Sequence, residues 1–102
     1  MDESHQVVVP PSFQDLFREP GRTKLTQPWP TVLTRYEWCE DLAQALCPQA
    51  RDQVWALNVT AADVVQRMAP VLASPEVGLA PEEAQWVSHR LVELIEQGLG
   101  PT

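Results

Sequence analysis

Ten prolines spread over 102 residues constrain the fold of this chain more than any other sequence feature. Each proline lacks a backbone N–H and disfavours the helical conformation in the residue before it. Most of them lie where a helix would begin or in stretches that lack periodicity. The prolines therefore divide the chain into helices and linkers.

The first segment between prolines is short. Ser12 and Asp15 have the spacing of a capping box with Asp in place of Glu, which predicts a short helix over residues 12–17. We expect an extended arm over residues 1–11. Residues 18–29 contain Pro20, Gly21 and Pro28, which break every period, and we predict a loop there.

The longest helical pattern follows Pro30, a residue type that suits the first turn of a helix. Apolar residues recur at every third or fourth position from Val32 to Ala50, as expected for a helix with one face towards a core. Pro48 interrupts this pattern at a cost of ~3 kcal/mol. We predict one kinked helix that continues through Val54, Trp55 and Leu57.

Two more helices are expected in the second half of the chain. Thr60 and Asp63 have capping-box spacing ahead of an apolar period, and Pro70 should bend or end that helix. Pro81 and two following acids suit the first turn of a last helix, which we expect to run to Gln97.

These patterns predict an all-α fold. We expect a single domain over residues 1–102, built as a small bundle of three to four helices with an irregular N-terminal arm. The predicted core residues are Val32, Tyr36, Ala43, Leu46, Val64, Met68, Val87, Leu91 and Leu94.

Composition narrows the classes of function. The length of the chain excludes a large multidomain enzyme, and its net charge of -7 disfavours binding to nucleic acid. No segment approaches the ~20 apolar residues that span a bilayer, so we expect no membrane partner. The N-terminus is acidic, unlike a signal peptide, and the two cysteines predict free thiols. We therefore expect a cytoplasmic protein.

Residues capable of catalysis or metal binding do not form a recognisable motif. Glu37, Glu40 and Asp41 share a helix face, but no histidine accompanies them, so we interpret them as a solvated face. His89 fits a surface position, and Cys39 and Cys47 fit buried thiols. Since phosphate-binding and zinc motifs are also missing, we predict no metal, no cofactor and no catalytic residue.

Charge and aromatic residues suggest a binding surface instead. Arg18, Arg22 and Lys24 lie within seven residues, opposed only by Glu19, while the rest of the chain is acidic. Such a loop could bind an acidic partner, bind a phosphate, or fold back on its own helices. Four tryptophans are many for this length, and Trp38 and Trp86 lie off the main apolar stripes. The candidate partner surface is Arg18, Arg22, Lys24, Trp29 and Trp38.

Four stretches resemble a known group of proteins: residues 9–13, 35–43, 58–64 and 83–94. They are similar to small acidic proteins of proteobacteria, mainly betaproteobacteria, that have no established activity and sometimes carry the label "ATPase with chaperone activity". The resemblance implies a bacterial protein. It brings no catalytic motif, so no functional residue is transferred from it.

We therefore predict a noncatalytic helical protein that acts through protein–protein interaction, as an adaptor or regulator. The expected partner is another protein, and a homo-oligomer is compatible with the sequence. One alternative is a small enzyme or a chaperone-like ATPase accessory without a recognisable motif. Another is a helix-turn-helix-like regulator built on residues 60–97, although the expected recognition helix is acidic.

Overall fold

The computed structural model describes residues 8–99 and the side chains of residues 8–98. Four α-helices account for most of these residues: α1 (Pro11–Gln14), α2 (Trp29–Leu57), α3 (Ala61–Leu72) and α4 (Pro81–Leu99). A 3-10 turn, Asp15–Phe17, follows α1, and the described residues contain no β-strand. The predicted all-α class, with four helices after an irregular N-terminal segment, is confirmed.

The chain forms two units, Met1–Trp38 and Cys39–Thr102, with the boundary inside α2. In the first unit, α1 starts at Pro11 with Pro10 as its N-cap, so Ser12 is not the cap that the sequence predicted. The fixed φ of proline suits a first helical position, and the Pro10 carbonyl accepts from the N–H groups of Phe13 and Gln14 at 3.0 and 3.1 Å. Residues 1–7 of the predicted extended arm lie outside the described residues, and Pro11 is helical.

Phe13 is the centre of the first unit's apolar packing. It is fully buried, and its ring lies 5.5 Å from that of Phe17 and 5.5 Å from that of Tyr36, the second pair edge to face. Aromatic rings prefer this tilted geometry because the positive edge of one ring meets the negative face of the other. A short helix can therefore be held in place by one side chain.

Helix α2 runs without a break through Pro48, which confirms the prediction of one helix rather than two. Its C-terminus is closed by Asn58, whose positive φ of 55° is the left-handed conformation that ends many helices. The N–H of Val59 then donates to the carbonyl of Val54 at 3.4 Å. This bond satisfies a carbonyl that the end of the helix would leave unpaired.

The second unit continues with α3 and α4. Thr60 and Asp63 form the predicted capping box: the Thr60 hydroxyl accepts from the Asp63 N–H at 3.0 Å, and the Asp63 carboxylate accepts from the Thr60 N–H at 3.4 Å. Pro70 lies in the last turn of α3, and Pro81 begins α4 as predicted. Gly78, with φ 78°, lies in the connection between the two helices.

Helices α2, α3 and α4 each contribute buried side chains to the core of the second unit. The cluster comprises Cys47, Ala50, Val54, Ala61, Val64, Val65, Leu91 and Ile95. Of the predicted core residues, Val32, Ala43, Val64, Val87 and Leu91 are buried, whereas Tyr36, Leu46, Met68 and Leu94 are only half-buried. The tryptophans differ in exposure: Trp86 is buried, whereas Trp55 is 72% exposed.

Among residues 8–99, no helix combines the length and apolar character that a membrane crossing requires.

Candidate functional site

The predicted basic loop is an ordered structure tied at both ends. Arg18 and Leu25 pair as an antiparallel bridge, and the Thr26 N–H donates to the Phe17 carbonyl at 2.6 Å. At the tip, the Arg22 N–H donates to the Glu19 carbonyl at 3.0 Å. Gly21 has a φ of 77°, a conformation that glycine adopts without strain. The turn residues that break the helical period therefore build a defined loop over residues 18–26.

Arg18 braces this loop from inside. Its guanidinium donates to the Asp15 carboxylate at 2.8 Å and to the Gln14 side-chain oxygen at 3.1 Å, while its Nε donates to the Thr23 carbonyl at 2.9 Å. These bonds join the two sides of the loop to the preceding turn. The charge of Arg18 is thus balanced locally by Asp15, and Arg18 positions the loop.

Arg22 and Lys24 are the cations that the loop presents to solvent. Both side chains are exposed, and no hydrogen bond or ion pair engages either of them among the described residues. With Glu19, Leu25 and Thr26 they line a shallow cavity of about 260 Å³. The site therefore combines two unpaired cations, one carboxylate and an apolar side chain.

The two predicted aromatic anchors occupy different faces of α2. Trp29, the first residue of the helix, is 43% exposed, and Trp38 is 45% exposed. They are nine residues apart, two and a half helical turns, so their side chains leave the helix on opposite sides. Because their side chains point in opposite directions, the two anchors do not form a single patch. Trp29 is the anchor that follows the loop closely in sequence.

The carboxylates that could have served chemistry have structural partners or face solvent. Glu40 forms a two-bond contact with Arg90: Arg90 Nε donates at 2.9 Å to one carboxylate oxygen and Nη2 at 3.0 Å to the other. Glu83 is buried but accepts from the Ala80 N–H at 2.9 Å. Glu37 and Asp41 are exposed, as predicted, whereas the prediction of a solvated face is wrong for half-buried Glu40.

The pair of Glu40 and Arg90 shifts the titration of both groups. Burial by itself would raise the pKa of the Glu40 carboxyl, but the hydrogen bonds from Arg90 and Gln44 and the Arg90 charge outweigh burial and lower the pKa. The hydrogen bond to Glu40 in turn raises the pKa of Arg90. Sequence spacing could not find this contact, because its partners lie fifty residues apart.

Residues of the types that bind metal ions do not cluster in the described part of the chain. No group of three His, Cys, Asp or Glu side chains there could hold a metal ion. Cys39 and Cys47 are not joined in a disulfide, and both are buried, as predicted. His89 is exposed, also as predicted.

The sequence missed the exposure of Trp55. We placed it in the apolar continuation of α2, yet only its neighbour Val54 is buried there. Adjacent residues of a helix point about 100° apart, so the neighbour of a buried residue can face solvent, as Trp55 does beside Val54. The available signal is the three- and four-residue spacing of Cys47, Ala50 and Val54, because Trp55 lies off that stripe.

No protein-family model, curated protein or solved structure matches this chain.

Proposed function

We propose that this protein is a noncatalytic interaction module that binds an acidic segment of another protein through the loop over residues 18–26. The observation that carries the proposal is the pair of exposed, unpaired cations, Arg22 and Lys24, on a loop braced by Arg18. Because the brace holds the loop in shape before binding, little conformational entropy is lost when a partner docks.

A protein segment fits this site better than a nucleic acid does. Nucleic-acid binding draws on many phosphate contacts, whereas this loop offers two unpaired cations beside Glu19 in a chain of net charge -7. Leu25 lines the same cavity and adds an apolar contact that a peptide side chain can use. The exposed position of His89 also favours a binding protein over an enzyme that would need this residue buried beside a carboxylate.

The setting of this interaction is part of the proposal. We place the protein in the bacterial cytoplasm, with a partner that carries several Asp or Glu residues in an accessible segment. An adaptor or regulator of this kind needs no cofactor.

Affinity capture from the native cell tests the proposal. Wild-type protein, the double variant Arg22→Ser/Lys24→Ser and the control Arg67→Ser are compared, since Arg67 is an exposed basic residue on α3. We expect a partner with an acidic segment that the wild type and Arg67→Ser retain and the double variant loses. Capture should weaken as salt concentration rises, because screening acts on exposed charges.

Stability measurements separate a binding role from a folding role. Exposed charges contribute only about 0–1 kcal/mol each to folding, so the double variant should melt close to the wild type. If Trp29 is an anchor next to the loop, Trp29→Ala should reduce the binding free energy by about 2 kcal/mol or more and so weaken capture. Lower stability with unchanged capture in these variants would show that the loop and Trp29 serve the fold, and the proposal would be wrong.

A further inference from the structure

A groove runs along the seam between α3 and α4 in the second unit. Its volume is about 430 Å³, within the range of sites that take ligand or peptide side chains. The apolar part of its lining is Ala69, Leu72, Ala73, Pro81 and Ala84. Leu72 is fully buried and forms the floor, while the alanines are too small to fill the space above it.

The polar side chains of the groove are hydrogen-bonded or lie at its exposed edge. Ser88 lines it, but the Ser88 hydroxyl already donates to the Ala84 carbonyl within α4 at 3.0 Å. Glu82 and Gln85 lie at the exposed edge. An occupant can therefore bury apolar side chains on the floor without leaving Ser88 unsatisfied.

The groove opens away from α2. Arg90 of α4 contacts Glu40 of α2, which fixes the face of α4 that α2 covers. Ser88 precedes Arg90 by two residues, about 200° around the helix, so the groove faces the other way. No element among the described residues of this unit fills it, since it remains an open cavity.

The charged residue that lines the groove is acidic. It is Glu82, and a second acidic residue, Glu76, lies in the short connection between α3 and α4. Residues 39–99 hold three basic and nine acidic residues, a net charge of -6. Of the basic residues, Arg90 is paired with Glu40 and Glu93. The occupant that complements this surface carries positive charge.

We propose that the seam between α3 and α4 binds a basic amphipathic helix of a partner protein, with apolar side chains over Leu72 and Lys or Arg side chains beside Glu82 and Glu76. A third helix laid on a helix pair is the usual way to cover such a seam. This surface is distinct from the loop over residues 18–26, and the inference does not rest on the proposed function.

A labelled synthetic peptide tests the inference with the full-length protein. The peptide is an amphipathic helix of about 18 residues, five turns, with Leu and Ala on one face and Lys on the other. We expect saturable binding in fluorescence anisotropy and NMR shift changes centred on Ala69, Ala73 and Ala84. A peptide with Glu in place of Lys should not bind.

Two pairs of variants locate the site. Glu82→Lys changes charge at the groove and Asp52→Lys makes the same change on the exposed face of α2. Ala69→Trp fills the groove and Ala56→Trp is its control on α2. Each groove variant should weaken binding about tenfold, a difference of ~1.4 kcal/mol, and each control should change it less than about twofold. Melting curves confirm that each variant is folded, and Glu82→Lys tests the groove independently of any misfit caused by the new tryptophan.

Several outcomes would overturn the inference. Equal weakening by Glu82→Lys and Asp52→Lys would mean that the peptide senses only the net charge of the protein. Absence of saturable binding, or shift changes outside the seam, would exclude the groove as the site. A dimer in sedimentation that Ala69→Trp dissociates would assign the groove to a second copy of this chain instead.

Discussion

The Arg51 side chain makes few hydrogen bonds with the described residues around it. Its Nε is buried and has no hydrogen-bond partner among the described residues, while its Nη2 makes only a 3.3 Å contact with the Cys47 sulfur. The guanidinium lies against Gly98, where a Cβ atom would come within 2.6 Å of Nε. Glycine near the end of α4 thus makes room for a charged group that gains little from the site.

Arg51→Met should leave stability unchanged or raise it by about 1 kcal/mol. Methionine keeps the aliphatic volume and removes a buried donor that has no acceptor. Urea unfolding measures the effect, and Arg67→Met, an exposed site on α3, is the matched control that we expect to be neutral. A loss above about 1 kcal/mol for Arg51→Met alone would mean that the guanidinium contributes to the fold.

A double-mutant cycle tests the contact between Arg51 and Gly98. Gly98→Ala favours the helix by about 0.5–1 kcal/mol but must displace the guanidinium in the wild type. In the Arg51→Met background we expect more of that gain to appear. Strictly additive effects would contradict the close approach seen in the structure.

At the scale of elements, the pair of Glu40 and Arg90 fastens α4 to α2. Its two parallel hydrogen bonds match the fork of a guanidinium to the two oxygens of a carboxylate. Both side chains are largely shielded, 17% exposed for Glu40 and 26% for Arg90, so water screens the pair less than a surface pair. A third bond from Arg90 to Glu93 holds the guanidinium in place.

This pair should make stability depend on pH in the acidic range. The pKa of Glu40 is lower in the folded than in the unfolded chain, so the unfolded chain takes up the proton first as the pH falls. The stabilisation is therefore complete above the unfolded pKa of about 4.3 and is lost as the pH drops through the folded value. Glu40→Gln should lower the free energy of unfolding by about 1–2 kcal/mol at neutral pH. The variant should also lose less stability than the wild type as the pH falls below about 5.

Asp41→Asn is the control for this titration, since Asp41 is the exposed neighbour of Glu40 on α2. It removes one carboxylate without touching the pair. We expect its melting temperature to follow the wild-type pH dependence closely. The role of the pair is refuted if Glu40→Gln and Asp41→Asn give the same pH profile.

Local sequence patterns predicted the helices well, but they did not predict contacts between residues that are distant in sequence. Thr60 and Asp63 show their capping box in four consecutive positions, and Pro81 marks the start of α4 by its own geometry. The contact of Glu40 with Arg90 depends on how two helices meet, which no periodicity records. The groove over Leu72 escaped prediction for the same reason, since its depth comes from alanines of two helices. The loop was predicted over residues 18–29 from prolines and a glycine that break the helical period, but the hydrogen bonds by which Arg18 holds it were not predicted.

At the scale of the whole molecule, charge is distributed unevenly along the chain. The described residues of the first unit, 8–38, hold four basic and three acidic residues, a net charge of +1, whereas residues 39–99 have a net charge of -6. The proposed loop site lies in the slightly basic unit and the proposed groove in the acidic one. Through charge complementarity, the two proposed sites would select partners of opposite charge.

Total stability should depend strongly on single core residues, because a domain of this size has only about 5–15 kcal/mol to lose. Leu91 is fully buried in the core of the second unit, so Leu91→Ala should cost about 2–5 kcal/mol through lost burial and the cavity left behind. Leu46 is only half-buried against the same cluster, and Leu46→Ala should cost less, about 1–2 kcal/mol. Urea unfolding of both variants gives the order of the two losses. Leu91→Ala should lose more, because the neighbours of Leu91 are buried and water does not replace the contacts that they lose. A larger loss for Leu46→Ala would contradict the packing of this core.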